Sequence, residues 1–328
     1  MITRAILEIL DFRSNSLVVS NNELDLSLET VYEYVNETLA KVEKNPSGRK
    51  GQFNEGSKVI PLLNSYKSKE IDFIKITSKI TNDLVSLLTS QDEKKSLDIM
   101  FIEYHNKEED YLAIIFLENK EALMHYVEQK DGRISNLIIK NFAILPTSSV
   151  NLSTFALINL NELSLFSLEK ARLIDKEPHK VLEEYLDTTY EMSNNETYRI
   201  IKNVVNSVAS NNDINPTLAI TRAKSYLASK GEVKELPCEE IAEHVFDSTL
   251  AKDEFNASMH NKGLFNNINL DHSYLMKKTL THKIKTDTGI EIIFPSNNFD
   301  NEDNLEFINE PDGTISIRIK NIGKIINR

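Results

Sequence analysis

Four strand-like runs between residues 97 and 145 constrain the fold more than any other feature of the sequence. They read LDIMFIEYH, YLAIIFLEN, LMHYVEQK and ISNLIIKNFAIL. Short polar turns such as KEED and KDGR separate them. Consecutive strands that are joined by turns this short pair in antiparallel fashion. The sequence therefore predicts a β-meander within one antiparallel sheet.

Helical patterns precede this meander and supply a layer to cover it. Hydrophobic residues recur at helical spacing from Val31 to Val42 and again from Ile71 to Leu88. Between these two helices, NPSGRKGQFNEGS is expected to be a glycine-rich loop. The start of the chain alternates like a strand and favours a hairpin. We therefore predict an α+β protein whose N-terminal domain, residues 1–174, packs an antiparallel sheet against helices.

Residues 175–264 are predicted to form a helical segment. SNNE fits a capping box, and Asn215 followed by Pro216 fits an N-cap and a proline in the first turn. Gly231 is the expected C-cap of the helix that Pro216 begins. A short last helix is predicted at KDEFNASMHNKG, and from about Tyr274 the chain is expected to return to strands.

The C-terminal region, residues 265–328, is predicted to be a small β-meander of two hairpins. The loops DTG and PDG suit a type I turn followed by a left-handed glycine. Each hairpin then has one mostly apolar face and one charged face. The predicted cross-strand pairs are His282–Phe294, Ile284–Ile292, Lys285–Glu291, Leu305–Ile319, Glu306–Arg318 and Phe307–Ile317.

The charge balance restricts how such a chain could bind nucleic acid. Its 328 residues carry a formal net charge of -12. Because phosphate neutralisation by cations dominates nucleic-acid affinity, this balance argues against a generic basic protein that coats DNA. An acidic protein can still bind DNA when its cations are segregated on one surface. The C-terminal region has two basic clusters, Lys277, Lys278, Lys283 and Lys285 in the first and Arg318, Lys320, Lys324 and Arg328 in the second. The alternative is that both are solvated faces paired with Glu291, Glu306 and the acidic block DNED at residues 300–303.

No pattern in the sequence specifies an enzyme, a metal site or a cofactor site. GQFNEGSK nearly spells a phosphate loop, but Ser57 and Lys58 stand in the reverse of the required order, and a helix precedes the loop where a strand is required. The histidines lack metal-ligand spacing, and the lone Cys238 is expected to be a small buried hydrophobe. We therefore expect no catalytic residues, no metal and no cofactor.

The sequence is also expected to contain neither a membrane span nor a signal peptide. It has no apolar run of about 18 residues, which a membrane-spanning helix requires. The first ten residues lack a small-residue cleavage site. A single cysteine fits a reducing cytoplasm.

Several segments resemble the bacterial nucleoid-associated protein family called NdpA or YejK. They are KIKTDTGIEIIFP, LEFINEPDGTISIRIKNIGKI, AILEILDFRSNSLVVSNNELDL, KGQFNEGS and ALINLNELSLFSLEK, and the resemblance covers most of the chain. The C-terminal hairpins are its most specific part. The chain departs from the family at Lys170-Ala171-Arg172, where many members read Lys-Gly-Arg. A contact that needs close approach to the backbone of that glycine would be lost here.

The resemblance implies a cytoplasmic, nucleoid-associated protein that binds double-stranded DNA, and it implies no catalytic residues. We expect contacts to phosphate with little base readout. The candidate DNA-binding residues are Lys277, Lys278, Lys283, Lys285, Arg318, Lys320, Lys324, Lys170, Arg172, Arg49 and Lys50.

Two other classes of function stay open on the sequence alone. One is a DNA-processing enzyme, such as a metal-dependent nuclease, or an accessory protein in phage defence or a mobile element. Carboxylates clustered in space would indicate a nuclease. The other is a protein-interaction module whose acidic surface meets a basic partner. A homo-oligomer and a protein partner from the DNA machinery also stay open, whereas no membrane partner is expected.

Overall fold

The structure, a computed structural model, contains two compact units, Met1–Met192 and Ser193–Arg328. Each unit has its own hydrophobic core. The expected C-cap Gly231 and the predicted turn at residues 311–313 lie outside the described residues. The described residues are 1–12, 16–93, 95–147, 151–230, 236–264, 267–279, 281–295, 305–310 and 314–324.

The first unit is built on an eight-stranded antiparallel sheet, which confirms the α+β class. The strand order is β12-β3-β9-β8-β5-β4-β1-β2. The elements in chain order are β1 (Ile2–Asp11), β2 (Ser16–Val18), α1 (Glu29–Glu43), β3 (Arg49–Phe53), α2 (Val59–Lys67), α3 (Phe73–Leu88), β4 (Leu97–Asn106), β5 (Glu109–Glu118), β6 (Lys120–Lys130), β7 (Arg133–Ile144), β8 (Thr154–Asn159), β9 (Ser164–Glu169), β10 (Arg172–Ile174), β11 (Glu177–His179), α4 (Val181–Leu186) and β12 (Thr188–Tyr190).

Helices cover both faces of the central strands. On one face, α2, α3 and α4 pack over alternate residues such as Ile99 and Phe101. On the other face, α1 packs over the intervening residues, such as Met100 and Ile102. A strand that is buried on both faces needs apolar side chains at successive positions. This explains why the sequences of β4 and β5 are nearly continuous hydrophobic runs.

The predicted meander is wrong for its last two strands. β4 pairs with β5 as expected, but the next neighbour of β5 is β8, and β6 and β7 form a separate two-stranded ribbon. All six residues of β8, TFALIN, are buried. β6 and β7 instead carry Lys, Glu, His, Arg and Asn among their apolar residues. Those charges would be desolvated beside β5, and β8 therefore occupies the position.

The predicted glycine-rich loop between the first two helices contains a strand. β3 pairs with β9 on one side and with β12 on the other. A Cβ atom on Gly51 would lie 2.6 Å from the Tyr190 ring and 2.7 Å from the Thr189 carbonyl oxygen. Glycine is thus required for β12 to pair this closely. Because β12 joins the large sheet, the first unit continues past the predicted boundary at residue 174 to Met192.

The second unit combines helices with short strands. Its elements are α5 (Asn194–Asn211), α6 (Pro216–Ser229), β13 (Leu236–Pro237), α7 (Cys238–Val245), α8 (Thr249–Asn261), β14 (Asn267–Ile268), α9 (His272–Thr279), β15 (Thr281–Lys285), β16 (Glu291–Pro295), β17 (Leu305–Asn309) and β18 (Ile315–Ile319). The predicted caps of α5 and α6 are present. The Ser193 hydroxyl oxygen accepts from the Glu196 N–H at 3.1 Å, and Asn215 Oδ1 accepts from the Leu218 N–H at 3.1 Å.

The predicted return to strands at Tyr274 is wrong, because α9 occupies residues 272–279. An Asp271 carboxylate oxygen accepts from the Tyr274 N–H at 2.9 Å, as in an N-cap. Tyr274, Leu275 and Thr279 are buried at helical spacing. The sequence does contain both signals of this helix, a capping aspartate before its first residue and buried residues at helical spacing.

The predicted registers of the two C-terminal hairpins are confirmed. Ile284 lies opposite Ile292 and Lys285 opposite Glu291 in the β15–β16 pair. Glu306 lies opposite Arg318 in the β17–β18 pair. Gly289 has φ +90, the left-handed conformation that the three-residue loop requires.

Candidate nucleic-acid interface

The charged face of the β15–β16 hairpin carries Lys283, Lys285 and Glu291. Lys283 Nζ lies 2.8 Å from a Glu291 carboxylate oxygen, and its side chain is 58% exposed. Lys285, directly opposite Glu291 in the register, is exposed as well. An ion pair this exposed contributes only about 0–1 kcal/mol, so that a phosphate could replace the carboxylate at little cost. The side chain of His282 lies outside the described part of the chain.

Lys277 and Lys278 belong to α9 and not to the hairpin, which corrects the prediction that the first basic cluster lies on strands. Both side chains are exposed in the last turn of the helix. Lys278 Nζ lies 5.7 Å from the centre of the Tyr274 ring. Cations near a helix C-terminus interact favourably with its dipole. The first cluster is therefore an exposed set of lysines on two consecutive elements, α9 and β15.

The second cluster, on the β17–β18 hairpin, is partly neutralised. The Glu306 Oε2 atom lies 2.9 Å from Lys320 Nζ and 3.5 Å from a guanidinium nitrogen of Arg318. The hydrogen bond from Lys320 is the main cause that lowers the pKa of Glu306. Lys324 is exposed beyond the last strand. The expected alternative of cations paired with Glu291 and Glu306 is thus realised for Lys283, Arg318 and Lys320. Arg328 and the acidic block at residues 300–303 lie outside the described residues.

The two arginine candidates of the first unit hold the fold together. Arg172 donates to Glu118 at 3.3 Å and to Gln91 at 3.2 Å, and its side chain is only 9% exposed. Arg49 contacts the Glu183 carboxylate and lies 4.4 Å from the centre of the Tyr190 ring. A guanidinium that is engaged in this way has few donors left for a phosphate. These contacts join residues far apart in sequence, and local patterns could not predict them.

The two lysine candidates of the first unit remain accessible. Lys50 lies on β3 and Lys170 directly follows β9, and both side chains are exposed. Ala171, the position at which the chain departs from the Lys-Gly-Arg pattern, is exposed too. The structure thus separates the candidates of this unit into exposed lysines and engaged arginines.

Sequence reasoning missed a lysine pocket on α2 and α3. Lys58, Lys75 and Lys79 line a shallow cavity of about 270 Å³ together with Leu62, Ile71, Pro61 and Ser65. Lys75 and Lys79 lie one helical turn apart on the exposed face of α3. Their i, i+4 spacing within an amphipathic pattern was the signal that could have identified them.

Ser57, Cys238 and Glu169 are buried side chains that make contacts inside the fold. The Ser57 hydroxyl donates to the Leu186 carbonyl at 2.7 Å and is buried, so the near-phosphate loop is a packed connection. Cys238 is buried as expected, and burial raises the pKa of its thiol to about 11. Glu169 accepts the N–H groups of Leu182 and Glu183 at the start of α4, while burial raises its pKa to about 7.

Metal-binding chemistry finds no support in the described residues. Among them, no group of three or more His, Cys, Asp or Glu side chains is placed to hold a metal ion. His105 contacts Asp110 at 3.0 Å beside the turn between β4 and β5, the hairpin turn expected there. Within the same described ranges, no helix combines the length and the apolar composition needed to cross a membrane.

Comparison with known proteins identifies the family. The family model described as "Nucleoid-associated protein YejK" matches residues 6–327, nearly the whole chain. The chain therefore belongs to this nucleoid-associated family, and the resemblance noted in its segments is confirmed. No curated protein matches the chain.

Proposed function

We propose that this member of the YejK family binds double-stranded DNA through exposed lysines of its second unit. The observation that carries the proposal is the succession of Lys277, Lys278, Lys283 and Lys285 on α9 and β15, where all four side chains are exposed. Nucleoid association, shown by the family, requires contact with the chromosome or with something bound to it. An acidic chain can make that contact directly when its cations are segregated on one surface.

The type of cation argues for contacts to phosphate rather than to bases. Lysine is a compact point charge, whereas bidentate recognition of guanine usually needs the planar fork of arginine. The accessible candidates are mostly lysines, and the arginines Arg49 and Arg172 are engaged within the fold. Binding with little sequence preference follows from this composition.

The remaining acidic surface limits how far such binding extends. With a formal net charge of -12, phosphate is repelled wherever cations are not concentrated. Only the clustered lysines then contribute, and four to six phosphate contacts would give a log–log salt slope of roughly -4 to -5. We also propose that the protein has no nuclease activity, so plasmid DNA should stay intact when it is incubated with the protein and Mg²⁺ or Mn²⁺.

A salt titration of binding to a duplex oligonucleotide tests the proposal. The variant Lys283→Glu with Lys285→Glu should keep the melting temperature, because both side chains are exposed, and should bind DNA at least about tenfold more weakly at low salt with a shallower slope. Lys75→Glu with Lys79→Glu is the matched control, with the same change of charge on α3 of the first unit.

The two variants separate the outcomes. Loss of affinity in the hairpin variant alone supports the proposal. Loss in the control alone would move the DNA surface to the lysine pocket. No shift of duplex DNA by the folded wild-type protein at low salt would refute direct DNA binding altogether.

A further inference from the structure

The β6–β7 ribbon carries a group of apolar side chains that the fold of the first unit leaves exposed. Every residue of β6 is exposed, and so are most residues of β7. Leu123 is 71% exposed, Ile134 71% and Ile138 78%. None of the described β6 and β7 side chains belongs to the two cores of this unit. We call residues 120–144 the arm.

The arm is apolar on both of its faces. Residues paired across an antiparallel ladder point to the same side, and successive residues point to opposite sides. One face presents Met124, Tyr126, Leu137 and Ile139, and the other presents Leu123, Val127, Ile134 and Ile138. An isolated two-stranded hairpin is marginally stable in water. An arm with this composition therefore gains stability from being covered.

The charges of the arm lie at its two ends and nearly cancel. The base carries Lys120, Lys140 and Glu121, of which Glu121 and Lys140 form an ion pair. The tip carries Lys130, Arg133, Glu128 and Asp131. Four cations against three acids give the arm a charge of +1, in a chain with a formal net charge of -12. With so small a net charge, electrostatic repulsion opposes a contact between two arms only weakly, although two whole chains repel each other.

We propose that the arm is a dimerisation element that packs against the same arm of a second copy of this chain. Most of the exposed apolar residues occupy the middle of the ribbon, 123–127 and 134–139, between the two charged ends. A two-fold axis through that middle lays apolar against apolar, and the mixed charges of each base meet the mixed charges of the other tip. A two-fold contact requires a patch that is complementary to itself, and the arm has this property.

The dimensions of the arm fit a weak two-fold interface. Its eleven-residue strand β6 is about 35 Å long at roughly 3.3 Å per residue. A ribbon about 10 Å wide then offers roughly 350 Å² on each face. A contact between two ribbons buries one face of each, so the two arms bury roughly 700 Å² in total, which is the size of a weak interface. A dimer would also present two copies of the lysine surface, although the arm contact itself does not depend on DNA binding.

Sedimentation equilibrium of the full chain, without DNA and over a series of rising protein concentrations, tests the proposal. The wild-type protein should shift from monomer to dimer as its concentration rises. Leu137→Glu with Ile138→Glu places one charge on each face near the centre of the arm, and it should weaken the dimer by roughly 100-fold or more. Leu173→Glu with Leu250→Glu is the matched control, with two exposed leucines outside the arm and the same change of charge. It should leave the dimer unchanged.

Crosslinking keeps the test decisive if the arm variant does not fold. Asn136→Cys, in the middle of β7, should be joined between copies by a short thiol crosslinker, whereas Ser207→Cys on the exposed side of α5 should not. A monomeric wild-type protein would overturn the proposal, as would a dimer that survives in the folded arm variant. An arm variant that keeps its oligomeric state but loses duplex binding would also overturn it and would make the arm a DNA-contacting ribbon.

Discussion

Two long hairpins follow each other in the first unit and have opposite surroundings. The β4–β5 hairpin runs from Leu97 to Glu118 and is buried on both faces between helices. The β6–β7 hairpin begins two residues later and is exposed on both faces. The first pairs in one register over ten residue pairs, and the second over nine, with a register shift between Lys120 and Ala122. Antiparallel pairing thus does not decide whether a hairpin is buried in the core. The side chains between its apolar positions decide it.

The turns of the two hairpins reflect the same difference. Both are two-residue loops with positive φ at each residue, 48 and 69 at Lys107 and Glu108, and 52 and 73 at Asp131 and Gly132. Asp-Gly suits this type I′ geometry, whereas Lys-Glu is strained in it. Packing of the buried hairpin compensates for an unfavourable turn. The exposed hairpin has no such packing within its own unit, and its turn residues match the geometry.

The largest expected effect sharpens the comparison through burial. Phe101→Ala in β4 removes a fully buried ring and should lower the free energy of unfolding by about 3–5 kcal/mol. Ile138→Ala in β7 is the counterpart and should change it by less than about 0.5 kcal/mol. Urea unfolding at a concentration low enough to exclude self-association measures both. A cost above about 2 kcal/mol for Ile138→Ala, typical of a core residue, would mean that the arm packs into the unit.

A second prediction concerns Asp98, a buried carboxylate of the β4–β5 hairpin. Asp98 on β4 is buried, and its pKa is raised to about 6, first by desolvation and further by the nearby Asp11. The folded protein therefore keeps a proton between about pH 4 and 6 that the unfolded chain has released. The contribution of protonated Asp98 to the free energy of unfolding is complete below the pKa of the unfolded chain and is lost as the pH rises through 6.

Asp98→Asn should remove this part of the pH dependence. A shift of about two units corresponds to at most roughly 3 kcal/mol, so the variant should be as stable as the wild type near pH 4 and more stable at pH 7. Glu169, whose pKa is raised to about 7, should leave a residual slope in the same direction. Urea unfolding from pH 4 to 7 measures the difference. A variant less stable than the wild type at pH 7 would show that the Asp98 carboxylate is needed in its charged form.

The sequence predicted the pairing of neighbouring strands well and the placement of strands in the sheet less well. Turn chemistry and alternation gave both C-terminal registers, down to Ile284 opposite Ile292. Whether β6 or β8 pairs with β5 depends on which strand can be removed from water at the lower cost in free energy. This is a competition between segments that are distant in sequence. Local alternation carries no information about such a competition.

The candidate interface shows the same limit. The exposure of Lys283 and Lys285 follows from the register, which turn chemistry and alternation predicted correctly. The engagement of Arg172 depends on Glu118, 54 positions away, and that of Arg49 on Glu183, 134 positions away. Charge counts along the sequence treat engaged and free cations alike. Burial and partners are needed to tell a phosphate contact from a structural one.

The smallest expected effect tests the turns, where the comparison makes opposite predictions for two similar positions. Glu108→Gly relieves a non-glycine residue at φ 69 in the buried hairpin and should raise the free energy of unfolding by about 0.5–1 kcal/mol. Gly132→Ala places a Cβ at φ 73 in the exposed hairpin. Nothing lies within 4 Å of that Cβ, so its cost is backbone strain alone, about 1–2 kcal/mol, and the strain falls on the arm.

Hydrogen exchange distinguishes a local from a global response to the turn substitutions. In Gly132→Ala, the amides of β6 and β7 should exchange faster, while those of β4 and β5 keep their protection, because the arm can open without disturbing the core. In Glu108→Gly, the protection of β4 and β5 should rise with global stability. If Gly132→Ala instead lowered protection in β4 and β5 as much as in the arm, the two hairpins would unfold as one cooperative unit, and the exposed ribbon would have to be counted as part of the core that it follows in sequence.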